Sequence, residues 1–402
     1  MKIEVVVKDL EKALKNVKYG LGDRRLNSMI KDGVHLAYDD YTATLEIRTA
    51  DYIHTASERM PATITGSMTE DGRTATVSYK ELLSVLKSIK QKHAMAYFER
   101  ANVTPGVMYK LTVDNHTWFL SSWHGRQYPP MPLMSDNVVK LALNLEEWRK
   151  LAYVAKAAYF DSPRSAMDCI SLTWDNGKVQ AVATDGYRLH YADVGAVTVT
   201  NDIKDDHGRR WLIPAADILA ITKLFPKGPG AMLIGITLPL DTLRYSVTYG
   251  GEYTGLLSNG YYPDWELAVS KTKTSKYEIV INRSELLEVL TKIVKMSKIA
   301  KQSPFAVLRH TSPDNLAVEA RFGESDPSSW YVHMLGDEEF PAISINAAQV
   351  LEGINGLGCE LLRVSFDDRD DRPVFFNPDP EHGSDNSNWF LTMPVLKREG
   401  KS

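Results

Sequence analysis

"MKIEVVVKDLEKALKNV" (Met1–Val17) begins with the alternation of a strand and ends with the spacing of a helix. Ile3, Val5 and Val7 stand two apart, so their side chains share one face of an extended segment. Leu10, Ala13, Leu14 and Val17 then recur at i, i+3, i+4 and i+7, which makes one apolar stripe on a helix. The same change of period occurs twice more, in "VKLALNLEEWRKLAYVA" (Val139–Ala155) and "YEIVINRSELLEVLTKI" (Tyr277–Ile293). Ile3, Leu141 and Ile279 correspond, and the steps from 3 to 141 and from 141 to 279 are equal. Matching strands followed by matching helices at constant spacing define a threefold repeat.

A second helix recurs inside each repeat. "TVSYKELLSVLKSIK", "LIPAADILAITKLF" and "ISINAAQVLEGINGL" align at Val77, Ile213 and Ile345. Ser78, Pro214 and Asn346 precede the helices, where a cap or a preset φ is useful. Alternating segments such as "ISLTWDNGKVQAVATDGYRLHYADV" lie between the helices and read as antiparallel strands. The repeats close alike, with "WFLSSWHGRQYPPMP", "TGLLSNGYYPDWEL" and "NWFLTMPVL". The expected class is therefore α+β, in three similar domains at 1–135, 136–273 and 274–402. Each domain packs two helices on antiparallel sheet.

The chain has 402 residues, is 44% apolar and 24% charged, and carries a net charge of -4. No stretch approaches the roughly 18 apolar residues of a membrane span. Cys169 and Cys359 are the two cysteines and form no metal-binding pair, which points to a reducing compartment. Positive charge is nevertheless placed systematically. Lys8, Lys12 and Lys15, then Lys80 and Lys87, then Arg149, Lys150 and Lys156, then Lys223 and Lys227, then Lys292, Lys295, Lys298 and Lys301 stud five of the six helices away from their apolar stripes. The sixth helix carries Glu352 instead. Acids gather elsewhere, in "YDDY", "NDIKDD" and "DDRDD". A basic helical surface on an acidic protein suits contact with phosphate.

Catalytic signatures are missing from the sequence. It holds no Walker-type phosphate loop, no G-x-S-x-G elbow and no H-E-x-x-H pair. "FDDRDDRP" (Phe366–Pro373) lacks the glycine and terminal glutamate of a calcium loop and reads as a solvated turn. His124 in "SSWHGR" has no counterpart in the second repeat and reads as structural. No cofactor or metal is expected.

One stretch exceeds what its local structure requires. In "VATDGYRLH" (Val182–His190) a hairpin turn accounts for Asp185 and Gly186. It does not account for Thr184, Tyr187, Arg188 and Leu189. With "YGLGDRR", "VSYKELLSVLKSI", "YYPDW", "INAAQVLEGI" and the closing "FLTMPVL", this stretch resembles the bacterial sliding clamps, the β subunit of DNA polymerase III. The resemblance runs over nearly the whole chain.

It implies a non-catalytic processivity factor for DNA replication in the cytoplasm. The family forms a head-to-tail homodimeric ring with helices around duplex DNA and sheets outside. Polymerase, clamp loader and repair proteins would attach through short peptide motifs. The resemblance assigns peptide binding to Cys169, Thr184, Gly186, Tyr187, Arg188, Leu189, Pro263, Leu267, Ala268, Pro373, Leu391, Met393 and Pro394. It places Arg24, Arg25 and Arg164 at DNA, and Lys12, Lys80 and Arg149 join them from the helical charge pattern. It sets Trp118 at the dimer interface, facing Met296 and Ile299. The chain departs from the family at Tyr187, Cys169, Leu267 and Asp371, in the tail "KREGKS" and in the loop Asn377–Asn388. These departures fit either a bacterial or a phage-encoded member. Two other readings stay open: an enzyme using the basic helices as a substrate platform, and a scaffold that keeps the cleft without closing a ring.

Overall fold

The computed structural model describes residues 2–21, 31–51, 53–65, 73–103, 106–123, 128–130, 138–160, 166–175, 178–196, 198–200, 210–223, 231–237, 244–248, 251–270, 274–324, 326–335, 339–369, 371–382 and 388–395. Among them are seven helices: α1 (Val7–Val17), α2 (Tyr79–Ser88), α3 (Leu145–Ala155), α4 (Ala215–Thr222), α5 (Trp265–Ser270), α6 (Arg283–Ile299) and α7 (Ala347–Asn355). All but the short α5 fall where the apolar spacing places them. α1 buries Val7, Leu10, Ala13, Leu14 and Val17, and α6 buries Leu286, Val289, Leu290 and Ile293. Ser78 caps α2 by accepting the Glu81 amide, and Asn346 caps α7 by accepting the amides of Ala348 and Gln349. Asn282 caps α6 in the same way through Glu285.

The strands form a fourteen-stranded and a twelve-stranded sheet, and every ladder between described strands is antiparallel. The chain divides into two compact units, and each sheet lies within one of them. The first unit holds 1–145, 198–203 and 220–257; the second holds 146–197, 204–219 and 258–402. Strands from the expected middle domain thus enter both units.

Within the first unit, strand Thr55–Pro61 of the first repeat pairs with strand Gly251–Leu256 of the second, Thr55 opposite Thr254. Within the second unit, strand Arg188–Ala196 of the second repeat pairs with strand Asn388–Thr392 of the third, Leu189 opposite Leu391. These two joins are equivalent. Thr55 and Leu189 each follow a tight turn, paired with Ala50 and Thr184 respectively. Four residues beyond Thr254 and Leu391, Ser258 and Val395 donate their amides to the carbonyls of Leu212 and Ser344, both at 2.9 Å. One hydrogen-bonding scheme therefore joins repeat one to two and repeat two to three.

Candidate partner-binding site at the hairpin

Strands Lys178–Thr184 and Arg188–Ala196 form the hairpin, with Gly186 at φ +87, a conformation that costs glycine little. The turn consumes its own polar groups. Thr184 Oγ1 donates to the Arg188 carbonyl at 2.6 Å and accepts the Gly186 amide at 3.1 Å. Asp185 Oδ1 accepts the amides of Tyr187 and Arg188, both at 2.9 Å. The Arg188 guanidinium is committed three ways: to Asp185 at 3.0 Å, to Glu352 on α7 at 2.5 Å and to the Lys156 carbonyl just past α3 at 2.9 Å. Thr184 and Arg188 thus hold the hairpin in shape. Tyr187, 70% exposed, and, on the neighbouring segment, Leu267, 60% exposed, face solvent.

The chain end completes the site. Met393 donates its amide to the Tyr187 carbonyl at 2.8 Å, so the last strand continues alongside the turn. Leu189, Leu391 and Val182 form a buried cluster, with Tyr191, Trp265, Val269, Phe375 and Trp389 packed on it. Cys169 lies in an adjoining cluster with Ala166, Leu212 and Tyr262, and Trp265 packs on both clusters. Burial pushes the Cys169 thiol up, with Asp168 adding to the effect, so it is a small apolar side chain here and not a nucleophile. Tyr262 donates to the Val182 carbonyl at 3.2 Å and fixes the segment carrying Pro263, Leu267 and Ala268 against the hairpin strand. Pro373 is buried just before the strand Val374–Pro378, while Met393 and Pro394 are half-buried. The peptide-binding residues expected from sequence are thus drawn from segments that pack around the hairpin, the α5 region and the chain end.

Side chains alternate across a sheet, so Leu189, Tyr191, Leu391 and Trp389 share one face. Tyr191 stacks on Trp389 with ring centroids 4.6 Å apart, and Trp265 and Phe375 adjoin the pair. His190 and Phe390 take the opposite face, where His190 stacks on Tyr153 of α3. Trp265, Tyr191, Trp389 and Glu352 are absent from the sequence-based site. Their only advance signal was the aromatic density of "YYPDW" and "NWF" and the lone acid on the sixth helix.

Among the DNA candidates, Lys12, Lys80 and Arg149 are exposed on α1, α2 and α3. Lys80 pairs with Asp32 at 2.8 Å, which holds that carboxyl below its usual range. Arg24, Arg25 and Arg164 lie outside the described residues. Trp118 is half-buried on the strand His116–Trp123, and Met296 and Ile299 are exposed on α6. No group of three or more metal-ligating side chains occurs among the described residues, and no helix there is long and apolar enough to cross a membrane.

No family model matches the chain. It is 25% identical over 226 residues to the beta sliding clamp of Vibrio cholerae, and the match spans 55% of each protein. The DNA polymerase sliding clamp of Bacillus subtilis superimposes with a TM-score of 0.81 at 17% identity, covering 99% of both chains. This chain has the sliding-clamp fold. The Helicobacter pylori beta clamp bound to DNA ligase peptide gives a TM-score of 0.80 at 17% identity, over 98% of this chain and all of that one. The DnaN sliding clamp of Pseudomonas aeruginosa bound to griselimycin gives 0.78, also at 17% identity. The clamp fold extends over the hairpin, the chain end and both repeat joins.

Proposed function

We propose that this chain is a sliding clamp without catalysis of its own: a processivity factor that encircles duplex DNA as a homodimer and holds polymerase and other partners by short peptides. Its three domains are 1–135, 136–273 and 274–402. The observation that carries the reading is a pair of strand edges that match the two joins within the chain and, among the described residues, have no partner strand. Ser328, paired with Ala320 after its turn, corresponds to Thr55 and Leu189. Trp123, paired with Thr76, corresponds to Ser258 and Val395, so Phe119 corresponds to Thr254 and Leu391. Among the described residues, Ser328–His333 pairs on one side only, with Asn315–Ala320, and His116–Ser121 pairs on one side only, with Met108–Val113.

A second copy supplies each missing partner. The scheme sets Ser328 opposite Phe119, Ser329 opposite Trp118, Trp330 opposite Thr117 and Tyr331 opposite His116. Head-to-tail joins of this kind close into a ring when the rotation permits. A pocket of about 460 Å³ lies beside Trp118, between residues 88–91 and 113–118, and would receive a side chain of the second copy. Met296 and Ile299, the latter 83% exposed, are suited to fill it.

The exposed helix cations, with Arg24, Arg25 and Arg164, would meet phosphates without reading bases. The cleft at Leu189, Leu391 and Met393 would take the apolar anchors of a peptide. Sedimentation tests the assembly: a species near twice 45.1 kDa is expected, and Trp118→Ala with Met296→Glu should give monomers. A double variant that remains a tight dimer would refute this interface.

A further inference from the structure

Arg188 carries more contacts than a hairpin needs. Its backbone amide and its Nε both bind Asp185, Nη1 reaches Glu352 of α7, and Nη2 reaches the carbonyl of Lys156 after α3. One guanidinium thereby ties the turn of repeat two to the second helix of repeat three. Arginine's planar fork suits such multiple attachment. The side chain is only 15% exposed, whereas Glu352 is 39% exposed. The turn so fixed presents the Tyr187 carbonyl to the Met393 amide. The hairpin turn and the chain end are thus tied together, and the place of both depends on where the turn sits.

We infer that Glu352, through Arg188, is a positioning residue that holds the hairpin turn, and with it Tyr187 and the chain end at Met393, in the place that partner peptides require, and so sets the affinity for them without touching the peptide itself. The inference rests on the reading of this cleft as a peptide site. It gives a role to the one charged side chain of the sixth helix, which carries no lysine or arginine. A cation at 352 would face the Arg188 guanidinium and push the turn off α7.

The test uses the full-length protein and a synthetic glutamine- and leucine-rich peptide, with affinity read by calorimetry. Binding by the wild type tests the cleft reading alone. Glu352→Gln should weaken binding about five- to tenfold, the loss expected for an ion pair partly shielded from water. Glu352→Asp should recover part of that loss, and neither variant should alter dimer mass. Arg188→Ala and Glu352→Ala combined should cost less than the sum of the two single losses. Additive losses, or full affinity in Glu352→Gln beside a large loss in Arg188→Ala, would overturn the inference and place Arg188 in direct contact with peptide. Amide exchange provides a readout that needs no peptide. Gly186, Tyr187 and Arg188 should exchange faster in Glu352→Gln than in the wild type, and unchanged rates would also overturn it.

Discussion

Leu189 stands directly opposite Leu391, two residues more than two hundred positions apart in the chain, in the ladder that joins the second repeat to the third. The pair is buried in one cluster with Val182, close in the chain to the exposed Tyr187 and to Met393, whose amide binds the Tyr187 carbonyl. A ladder that connects repeats has thereby also brought together the residues proposed to bind partner peptides.

Met393→Ala should weaken binding of a glutamine- and leucine-rich peptide by about 1–3 kcal/mol, the burial value of one apolar side chain. Leu189 is 2% exposed, so Leu189→Ala should weaken binding and also cost about 2–4 kcal/mol of fold stability. Calorimetry with parallel melting curves separates the two effects. Unchanged affinity in both variants would remove the cleft from the account. Deleting "KREGKS" is a separate test: tighter binding would mean the tail competes for the cleft.

Gly353 and Gly356 let α7 and the turn after it approach two aromatic rings. A Cβ at 353 would lie 2.5 Å from Phe390, and one at 356 would lie 2.0 Å from Tyr153. Gly353→Ala and Gly356→Ala should each destabilise the second unit by about 1–3 kcal/mol through overpacking. Both should weaken peptide binding as well, because the same contacts seat Glu352. Denaturant midpoints near the wild-type value would show that the rings can shift freely.

His35 and His190 are buried, and desolvation lowers both from 6.5 to about 3, with nearby Arg48 and Arg188 adding to the effect. Between those values the unfolded chain binds protons that the folded chain does not, so stability falls as pH falls from about 6.5 towards 3. Each histidine should remove about 3 kcal/mol by pH 4. Denaturant titrations of wild type and His190→Phe at several pH values measure this. The variant should lose less stability over that range, and an identical slope would mean that His190 does not remain neutral in the fold.

DNA contact should be electrostatic and indifferent to sequence. Each phosphate contact removed should reduce the salt slope by about 0.9. Arg149→Glu, and Arg24 with Arg25 reversed to Glu, should weaken binding equally on all sequences. A marked base preference in the wild type would argue for another kind of DNA protein.

Much of the fold was legible because it is written locally. Strand alternation, helical stripes and the caps at Ser78 and Asn346 each depend on residues within a few positions of one another. The joins were not legible, since no local pattern sets Leu189 against Leu391 or Thr55 against Thr254. The hairpin stood out, but the part played by its polar residues did not. The resemblance assigns Thr184 and Arg188 to the peptide, and the structure adds that Thr184 donates to the Arg188 carbonyl and Arg188 to Glu352 of α7. Trp265 escaped notice because its place between two clusters depends on how α5 folds back on the sheet.

A closed ring threaded by DNA is tested most directly by topological retention. Ser328→Cys with Phe119→Cys, in a Cys359→Ser background, sets one thiol on each edge of the predicted third join. The protein is mixed with circular duplex DNA, joined by a short thiol-reactive linker, and washed at high salt. A closed ring should give covalent dimers that stay on the circle and are released when the DNA is cut once. Dimers that fail to cross-link at this pair, or that wash off circular and linear DNA alike, would contradict it.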